Sequence, residues 1–350
     1  MTTPTCPFRW WRAAARALII VAVFLSLAAP AAAEPPNLST NLGTPITVKA
    51  RTIRAILPGK PDQPRVGHLL YRGGLELTSA TRDFGGLSAL KMAPDGAHFI
   101  ALTDKGFWFT GRIVYDGIRP AAIADATMAP MLGPDGRPLA ARRWQDTEAL
   151  AADGGTLYVG IERRHRIVKF DFARWGVAAR AQPIAAPTAM RSMPSNQGIE
   201  GLVFVPKGLP RAGMLIAFSE RSLDRAGNLR AFLIGRRNGG VFTVRRSDDF
   251  DIADAALLPS GNVLILERRF SWARGVAIRL RRIALSSIAP NAVVDGPVLF
   301  FADLGFEIDN MEALGVHRLA SGETVLTMLS DDNFSPLQRT LLLQFTLLDE

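Results

Sequence analysis

The stretch DTEAL at residues 146–150 is one of five related stretches that decide the fold. The others read GGLSAL at 85–90, GIEGL at 198–202, IADAAL at 252–257 and NMEAL at 310–314. Their final leucines, Leu90, Leu150, Leu202, Leu257 and Leu314, are separated by 60, 52, 55 and 57 residues. Repetition at such a period is typical of folds built from similar units arranged side by side. The sequence therefore predicts five repeated units.

Each of these stretches begins a strand, which a turn connects to a second apolar strand. The turns include PDG at 94–96, DGG at 153–155 and PSGN at 259–262, where glycine and asparagine supply the positive φ that tight hairpins need. The second strands are short and almost wholly apolar, as in VLIL at 263–266, which is typical of strands covered on both faces. We predict an all-β fold, a β-propeller with five blades. Six blades are the alternative, and the repeat period argues against a two-sheet sandwich.

The ends of the chain predict how the propeller closes. Strand-like segments at 44–57 and 66–78 precede the first repeat, and another at 341–348 follows the last. We expect an N-terminal strand to complete the final blade and close the ring. Helical patterns are weak and confined to 121–131 and 172–179.

The first 33 residues predict a secretory signal peptide. Three arginines precede the apolar run at 17–27, and a small-residue stretch ending at Ala33 follows it. This order is typical of exported proteins, and the apolar run is shorter than a membrane-spanning helix requires. We expect cleavage after Ala33, a flexible lead-in at 34–45 and a single domain at 46–350. The mature protein would then be periplasmic or secreted.

The charge and the cysteine content of the chain exclude several kinds of functional site and partner. Cleavage after Ala33 would leave 38 basic and 32 acidic residues, so the formal charge would fall from +9 to +6. It would also remove Cys6, the only cysteine, which excludes a cysteine nucleophile and a thiolate metal site. The basic residues are scattered, which argues against a nucleic-acid partner. We expect a small anionic ester or phosphoester substrate, no transmembrane anchor in the mature chain, and a monomer.

The repeats also place charged residues at corresponding positions. The second strands end in the pairs Asp104-Lys105, Glu162-Arg163, Glu220-Arg221, Glu267-Arg268 and Asp331-Asp332. The first strands open beside Glu148, Glu200, Asp254 and Glu312. In a propeller, a position that recurs in every blade forms a ring around the central axis. The sequence therefore predicts a ring of carboxylates and arginines at one mouth of the central channel.

Such a ring suits a hard divalent cation, which prefers oxygen ligands, and an anion held by guanidinium groups. The catalytic candidates are Glu148, Glu200 and Glu312. The metal candidates, with Ca²⁺ as the expected ion, are Glu148, Glu200, Asp254, Glu312 and Asp331. The substrate-binding candidates are Arg163, Arg221, Arg268, His165 and Lys105. The hypothesis is hydrolysis of an ester or phosphoester by water that the cation activates.

Two other interpretations of the ring stay open. The propeller could bind a small anionic ligand or an envelope partner at the channel mouth without catalysis. The acid–arginine pairs could instead bridge neighbouring blades and only hold the ring closed. The sequence contains neither a Gly-x-Ser-x-Gly elbow nor a His-Glu-x-x-His motif, which excludes the hydrolase classes that depend on them.

Four pairs of segments resemble one known family. They are 85–88 with 103–106, 196–204 with 219–221, 250–254 with 267–268, and 309–314 with 330–334. Together they resemble the bacterial phytase-like family described as having esterase-like activity of phytase. The resemblance implies a β-propeller and a periplasmic or secreted hydrolase of ester or phosphoester bonds. It implies no role for any particular residue.

Overall fold

The computed structural model describes residues 43–235, 239–273 and 275–348. The predicted signal peptide at 1–33 and residues 34–42 of the predicted lead-in lie outside these ranges. Thr44 and Pro45, at the end of that lead-in, form the first strand. None of the helices within the described ranges is long and apolar enough to cross a membrane.

The described residues are mostly β-strand. The first strands are β1 (Thr44–Pro45), β2 (Val48–Ile53), β3 (Arg65–Val66), β4 (Leu69–Ser79), β5 (Leu87–Met92), β6 (His98–Thr103), β7 (Phe107–Asp116) and β8 (Arg119–Pro130). The next are β9 (Thr147–Asp153), β10 (Thr156–Ile161), β11 (Arg166–Asp171), β12 (Gln182–Pro183), β13 (Ile199–Phe204), β14 (Leu215–Leu223), β15 (Leu229–Ile234) and β16 (Gly240–Val244). The last are β17 (Asp251–Leu257), β18 (Val263–Ser271), β19 (Gly275–Ile283), β20 (Val293–Val294), β21 (Val298–Ala302), β22 (Met311–Arg318), β23 (Thr324–Ser330) and β24 (Thr340–Leu347).

Helical segments are few and short. The α-helix α1 spans Phe172–Trp175. Single 3₁₀ turns span Leu139–Arg142, Glu162–Arg164, Gly176–Ala178, Thr188–Ser192 and Leu285–Ser287.

The strands form five sheets, which are the blades of a five-blade β-propeller. Blade 1 runs from inner strand β5 through β6 and β7 to β8, and β1 pairs with its outer edge. Blade 2 contains β9 to β12, and blade 3 contains β13 to β16 with β20 on its edge. Blade 4 contains β17, β18, β19 and β21. Blade 5 has the order β22, β23, β24, β4, β2, and β3 pairs with β4. The prediction of five blades is confirmed.

Blade 5 closes the ring because it joins both ends of the domain in one sheet. Its three inner strands come from the C-terminal part of the chain, and its outer strands β4 and β2 come from the N-terminal part. The antiparallel pairing of β24 with β4 runs from Thr340 opposite Leu77 to Leu347 opposite Leu69. The predicted closure by an N-terminal strand is therefore confirmed.

Apolar side chains fill the interface between each pair of neighbouring blades. Five buried clusters lie between blades 1 and 2, 2 and 3, 3 and 4, 4 and 5, and 5 and 1. Between blades 1 and 2, for example, the Trp108 ring contacts Phe170 and Phe172 at centroid distances of 5.1 and 5.3 Å. The burial of these faces supplies the main driving force for closing the ring.

The predicted helical segment at 121–131 is wrong. Residues Arg119–Pro130 form β8, which pairs antiparallel with β7. Side-chain packing on a sheet outweighs the weak local preference of its alanines. The second predicted segment, at 172–179, contains α1 and the 3₁₀ turn Gly176–Ala178.

A substitution in β24 tests the importance of the closing sheet. Leu343 is fully buried, so Leu343→Ala should lower the free energy of unfolding by about 2–5 kcal/mol in urea denaturation. The matched control is Leu337→Ala, because Leu337 is 90% exposed and should tolerate truncation. Equal stabilities for the two variants would contradict the assigned packing.

Candidate active site

The first part of the site is a ring of residues set by a β-bulge in every inner strand. The strand pairing passes over one residue near the start of β5, β9, β13, β17 and β22. The residues passed over are, in the same order, Ser88, Glu148, Glu200, Ala253 and Glu312. A bulge re-aims the side chain of its extra residue. Burial raises the pKa values of Glu148 and Glu200, and the nearby carboxylate of Glu312 adds to both shifts.

A second ring lies on the second strands or directly after them. Asp104, Glu162, Glu220 and Asp331 each donate a backbone N–H, over 2.8–2.9 Å, to the carbonyl that precedes the inner strand of the same blade. In blade 4 the corresponding position, opposite Asp251, is Arg268. The second ring thus contains four carboxylates and one guanidinium. We call the two rings together the acidic mouth; its carboxylates are Asp104, Glu148, Glu162, Glu200, Glu220, Glu312 and Asp331.

In blade 4 the bulge lies one residue earlier, relative to the acid, than the predicted alignment of the repeats requires. Because its bulge falls at Ala253, Asp254 takes the position held by Ala89 in blade 1 and Ala149 in blade 2. The two carboxylate oxygens of Asp254 each accept a backbone N–H over 2.7 Å, from Ala255 and from Leu314 of blade 5. Asp254 therefore joins blades 4 and 5 and does not share in the acidic mouth. Its predicted equivalence with Glu148, Glu200 and Glu312 is wrong.

Glu267 is displaced in the same way. It is completely buried and bonds to Arg279 and Arg281, with its closest contacts at 2.7 and 2.6 Å. Its predicted equivalence with Glu162 and Glu220 is wrong, because Arg268 occupies that position.

Three carboxylates of the acidic mouth converge most closely. One oxygen each of Glu162, Glu200 and Glu220 can be chosen so that all three lie within 4.8 Å of one another. Glu162 and Glu200 are buried and Glu220 is half-buried. The Gly198 N–H donates to Glu162 Oε1 over 2.9 Å and fixes its orientation. Of these three, the sequence-based assignment included only Glu200 as a ligand, although Glu162 and Glu220 were recognised as members of the ring.

Arg268 is the cation that the acidic mouth already contains. Its guanidinium lies 3.2 Å from Glu220, 3.1 Å from Glu312 and 2.9 Å from the Asn310 side-chain oxygen. Burial alone would lower the pKa of Arg268, but Glu312, Glu220 and Glu200 raise it. The structure thus places Arg268, a predicted substrate-binding residue, in ion pairs with the ring.

The single guanidinium of Arg268 does not neutralise the seven carboxylates of the acidic mouth. The pKa values of several of these carboxylates are raised accordingly. Burial raises the pKa of Asp104 to about 6, that of Glu162 to about 7 and that of Asp331 to about 8, with neighbouring acids adding to each shift. The pKa values of Glu148 and Glu200 rise well above their usual range, again mainly through burial. The site holds more carboxylates than it can keep ionised by itself.

Basic residues surround the rim of the acidic mouth. Arg163 Nε lies 3.1 Å from both an Asp146 oxygen and the Asn196 side-chain oxygen. Arg221 pairs with Asp251, and the Lys105 ammonium lies 3.2 Å above the centre of the Phe334 ring. Each of these cations directly follows a carboxylate of the second ring in the sequence, and each keeps more than a third of its side chain exposed.

Two further predicted residues lie at this end of the molecule. His165 follows the 3₁₀ turn Glu162–Arg164, and its buried Nδ1 has no hydrogen-bond partner among the described residues. Asp331 accepts the Asn333 N–H over 2.6 Å. Its neighbour Asp332 accepts the Gly86 N–H and the Thr340 hydroxyl, and thereby joins blade 5 to blade 1.

A model of the phytase-like family, described as esterase-like activity of phytase, matches residues 82–334. The match covers more than half of the chain and includes all seven carboxylates of the acidic mouth. The chain belongs to the phytase-like family. No curated protein matches the sequence of this phytase-like chain at a significant level.

Two solved structures are similar to this chain at low sequence identity. One is described as the structure of U3-55K, with 13% identity and a TM-score of 0.38, covering 76% of this chain and 96% of that chain. The other is glutaminyl cyclase from Myxococcus xanthus, with 12% identity and a TM-score of 0.40, covering 76% of this chain and 92% of that chain. Similarity at this level says nothing about activity.

The raised pKa values predict how stability depends on pH. The folded phytase-like chain holds protons on Glu162 and Asp331 that the unfolded chain releases near pH 4, so stability should fall as pH rises through about 7 and 8. In chelator, the melting temperature should drop by several degrees between pH 6 and pH 8.5. Asp331→Asn should flatten this slope, whereas Asp116→Asn, at an exposed hairpin, should leave it unchanged. A melting temperature that rises over this interval would contradict the assignment.

Proposed function

We propose that this phytase-like protein is an exported hydrolase of ester or phosphoester bonds that works with a divalent cation, Ca²⁺ being the best match. The observation that carries the proposal is the convergence of Glu162, Glu200 and Glu220 within a mouth that has too little positive charge. Membership of the family described by esterase-like activity of phytase supports the same class of reaction.

The donor set fits a hard cation. Carboxylate oxygens are the ligands that Ca²⁺ prefers, and Glu162, Glu200 and Glu220 would hold the ion, with Glu148 and Glu312 beside them. Bound there, the cation would polarise the oxygen of an ester or phosphoryl group. Its charge would also favour the ionised form of carboxylates whose pKa values are now raised by burial and by one another.

The remaining acids of the mouth are candidates for moving protons. Glu148 and Glu312 lie in the first ring outside the converging three. We assign Glu312, whose carboxylate pairs with Arg268, to accept a proton from the attacking water. Glu148, whose pKa burial raises well above its usual range, belongs with Asp331 among the proton donors. Burial raises the pKa of Asp331 to about 8, so this group is protonated at neutral pH and can donate to a leaving oxygen. Two acids with different pKa values in one site commonly act as the general acid and the general base of a reaction.

The rim residues would receive the substrate. Arg163, Arg221 and Lys105 keep 62%, 47% and 38% of their side chains exposed, so they can approach an anionic group outside the acidic mouth. His165 lies beside them. Arg268 acts as a positioning residue in this scheme, because its ion pairs hold Glu220 and Glu312 in place.

Cation binding and turnover can be tested on the same protein. A cation bound only by the folded state raises stability, by about 2.7 kcal/mol at a hundred times its dissociation constant. We therefore expect Ca²⁺ to raise the melting temperature of the protein and Glu200→Gln to abolish that shift. Glu323→Gln is the control, because Glu323 is an exposed acid near the opposite end of blade 5.

Hydrolysis should follow the same pattern. With Ca²⁺, the protein should cleave p-nitrophenyl phosphate or p-nitrophenyl butyrate, and EDTA or Glu200→Gln should reduce the rate by about a hundredfold or more. A Ca²⁺-dependent melting shift without turnover on either substrate or on phytate would favour the alternative, a propeller that binds a small anionic ligand or an envelope partner. If Glu200→Gln lowered the melting temperature in chelator and Ca²⁺ had no effect, the ring would be structural only.

The proposed export can be tested separately. Expression of the full-length chain in a Gram-negative host should give a periplasmic or secreted product that begins near Glu34, as measured by intact mass and N-terminal sequencing. A product that keeps residues 1–33 and stays in the cytoplasm would contradict this part of the proposal.

A further inference from the structure

The opposite mouth of the central channel opens into a second cavity of about 560 Å³. The inner strands reach it at their C-terminal ends, and the turns that follow them form its wall. Its apolar lining includes Met92, Ala152, Leu157, Leu209, Leu257 and Val316. We call this space the apolar cavity. Its volume and lining are typical of sites that bind small molecules.

A narrow channel separates the apolar cavity from the acidic mouth. The central part of the channel is lined by Leu90, Leu150, Leu202 and Leu314 and contains only about 30 Å³ of free space. That volume is about enough for a water molecule and too small for a substrate. The apolar cavity is therefore a separate site, and what it binds need not follow from the reaction proposed for the acidic mouth.

One cation points to the kind of ligand that the apolar cavity accepts. Lys91, near the end of β5, lines both the cavity and the narrow channel. Within the described ranges its ammonium makes no hydrogen bond and no ion pair, and Asp254 is the acid that influences it. The oxygens of Asp254 already accept two backbone N–H groups. The Lys91 side chain is exposed, so a ligand in the apolar cavity can reach its ammonium. The surrounding protein lowers the pKa of Lys91 by desolvation, and Asp254 opposes that shift.

The other polar groups of the apolar cavity add no negative charge. His317 is buried; burial and the neighbouring Arg72 lower its pKa to about 4, so its ring is neutral at pH 7. Its Nδ1 has no hydrogen-bond partner among the described residues. Arg318 donates from Nε to the Gly322 carbonyl over 3.1 Å and contributes a second positive charge. No aspartate or glutamate lines the cavity among the described residues.

We propose that the apolar cavity binds a small carboxylate that carries an apolar tail, with the carboxylate on Lys91 and the tail along the leucine-lined wall. An anion would supply the ion pair that the lysine lacks, and each CH₂ group buried against the wall would add about 0.8 kcal/mol. A neutral apolar molecule would gain only the burial of its CH₂ groups. A small inorganic anion would gain only the ion pair with Lys91.

Calorimetric titration with decanoate and with decanol, a neutral probe with a tail of the same length, tests this proposal. The wild-type protein should bind decanoate more tightly than decanol. Lys91→Met should weaken decanoate by about tenfold or more and leave decanol unchanged. Lys49→Met is the matched control, because Lys49 lies exposed on the outermost strand of blade 5.

A second variant tests the position of the tail. Ala152→Phe should fill part of the apolar cavity and weaken both probes, whatever the effect of Lys91→Met on folding. Glu200→Gln, in the acidic mouth, should bind decanoate as the wild type does, so failure of the proposed hydrolase activity would not affect this result. No decanoate binding to the wild type, equal binding by all variants, or loss of binding in Glu200→Gln would each overturn the proposal.

Discussion

The pairing of β4 with β24 is the contact on which the rest of the molecule depends. Each blade has apolar residues on both faces and needs a neighbour on either side. When β4 and β24 are paired, all five interfaces between blades are buried. Without this pairing, blade 5 would lose its outer strands, and its interfaces with blades 4 and 1 would be weakened. Ser88 and Glu312, far apart in the sequence, occupy the same ring only because this sheet joins the two ends of the domain.

Closure also explains how the protein tolerates its acidic mouth. Carboxylates brought together in buried surroundings oppose folding when they are ionised, and burial raises the pKa values of Glu148, Glu200 and Asp331 for that reason. The apolar clusters stabilise the fold independently of these carboxylates, because they lie between the blades, around the channel and not at its mouth. The stability of the domain and the chemistry of its mouth thus come from different sets of residues.

The sequence was sufficient for the fold, because a period of 52 to 60 residues and apolar strands separated by turns leave few other solutions. It was only partly sufficient for the site. Aligning the repeats by their acids equated Asp254 and Glu267 with the other blades, whereas the bulge in blade 4 moves both by one residue and brings Arg268 into the ring. A shift of one residue reverses the face that a strand side chain occupies. No pattern of residue types shows where such a bulge falls, so the metal candidates Glu162 and Glu220 became evident only from the coordinates.

Arg268 gives the acidic mouth a counter-ion that cannot diffuse away. Because the backbone tethers it, its local concentration near Glu220 and Glu312 is far higher than that of any free cation. A dissolved ion that enters must share these carboxylates with the guanidinium or displace it. Affinity for the ion and the resting position of one arginine on the β18–β19 hairpin are therefore coupled, and a change in either alters the other.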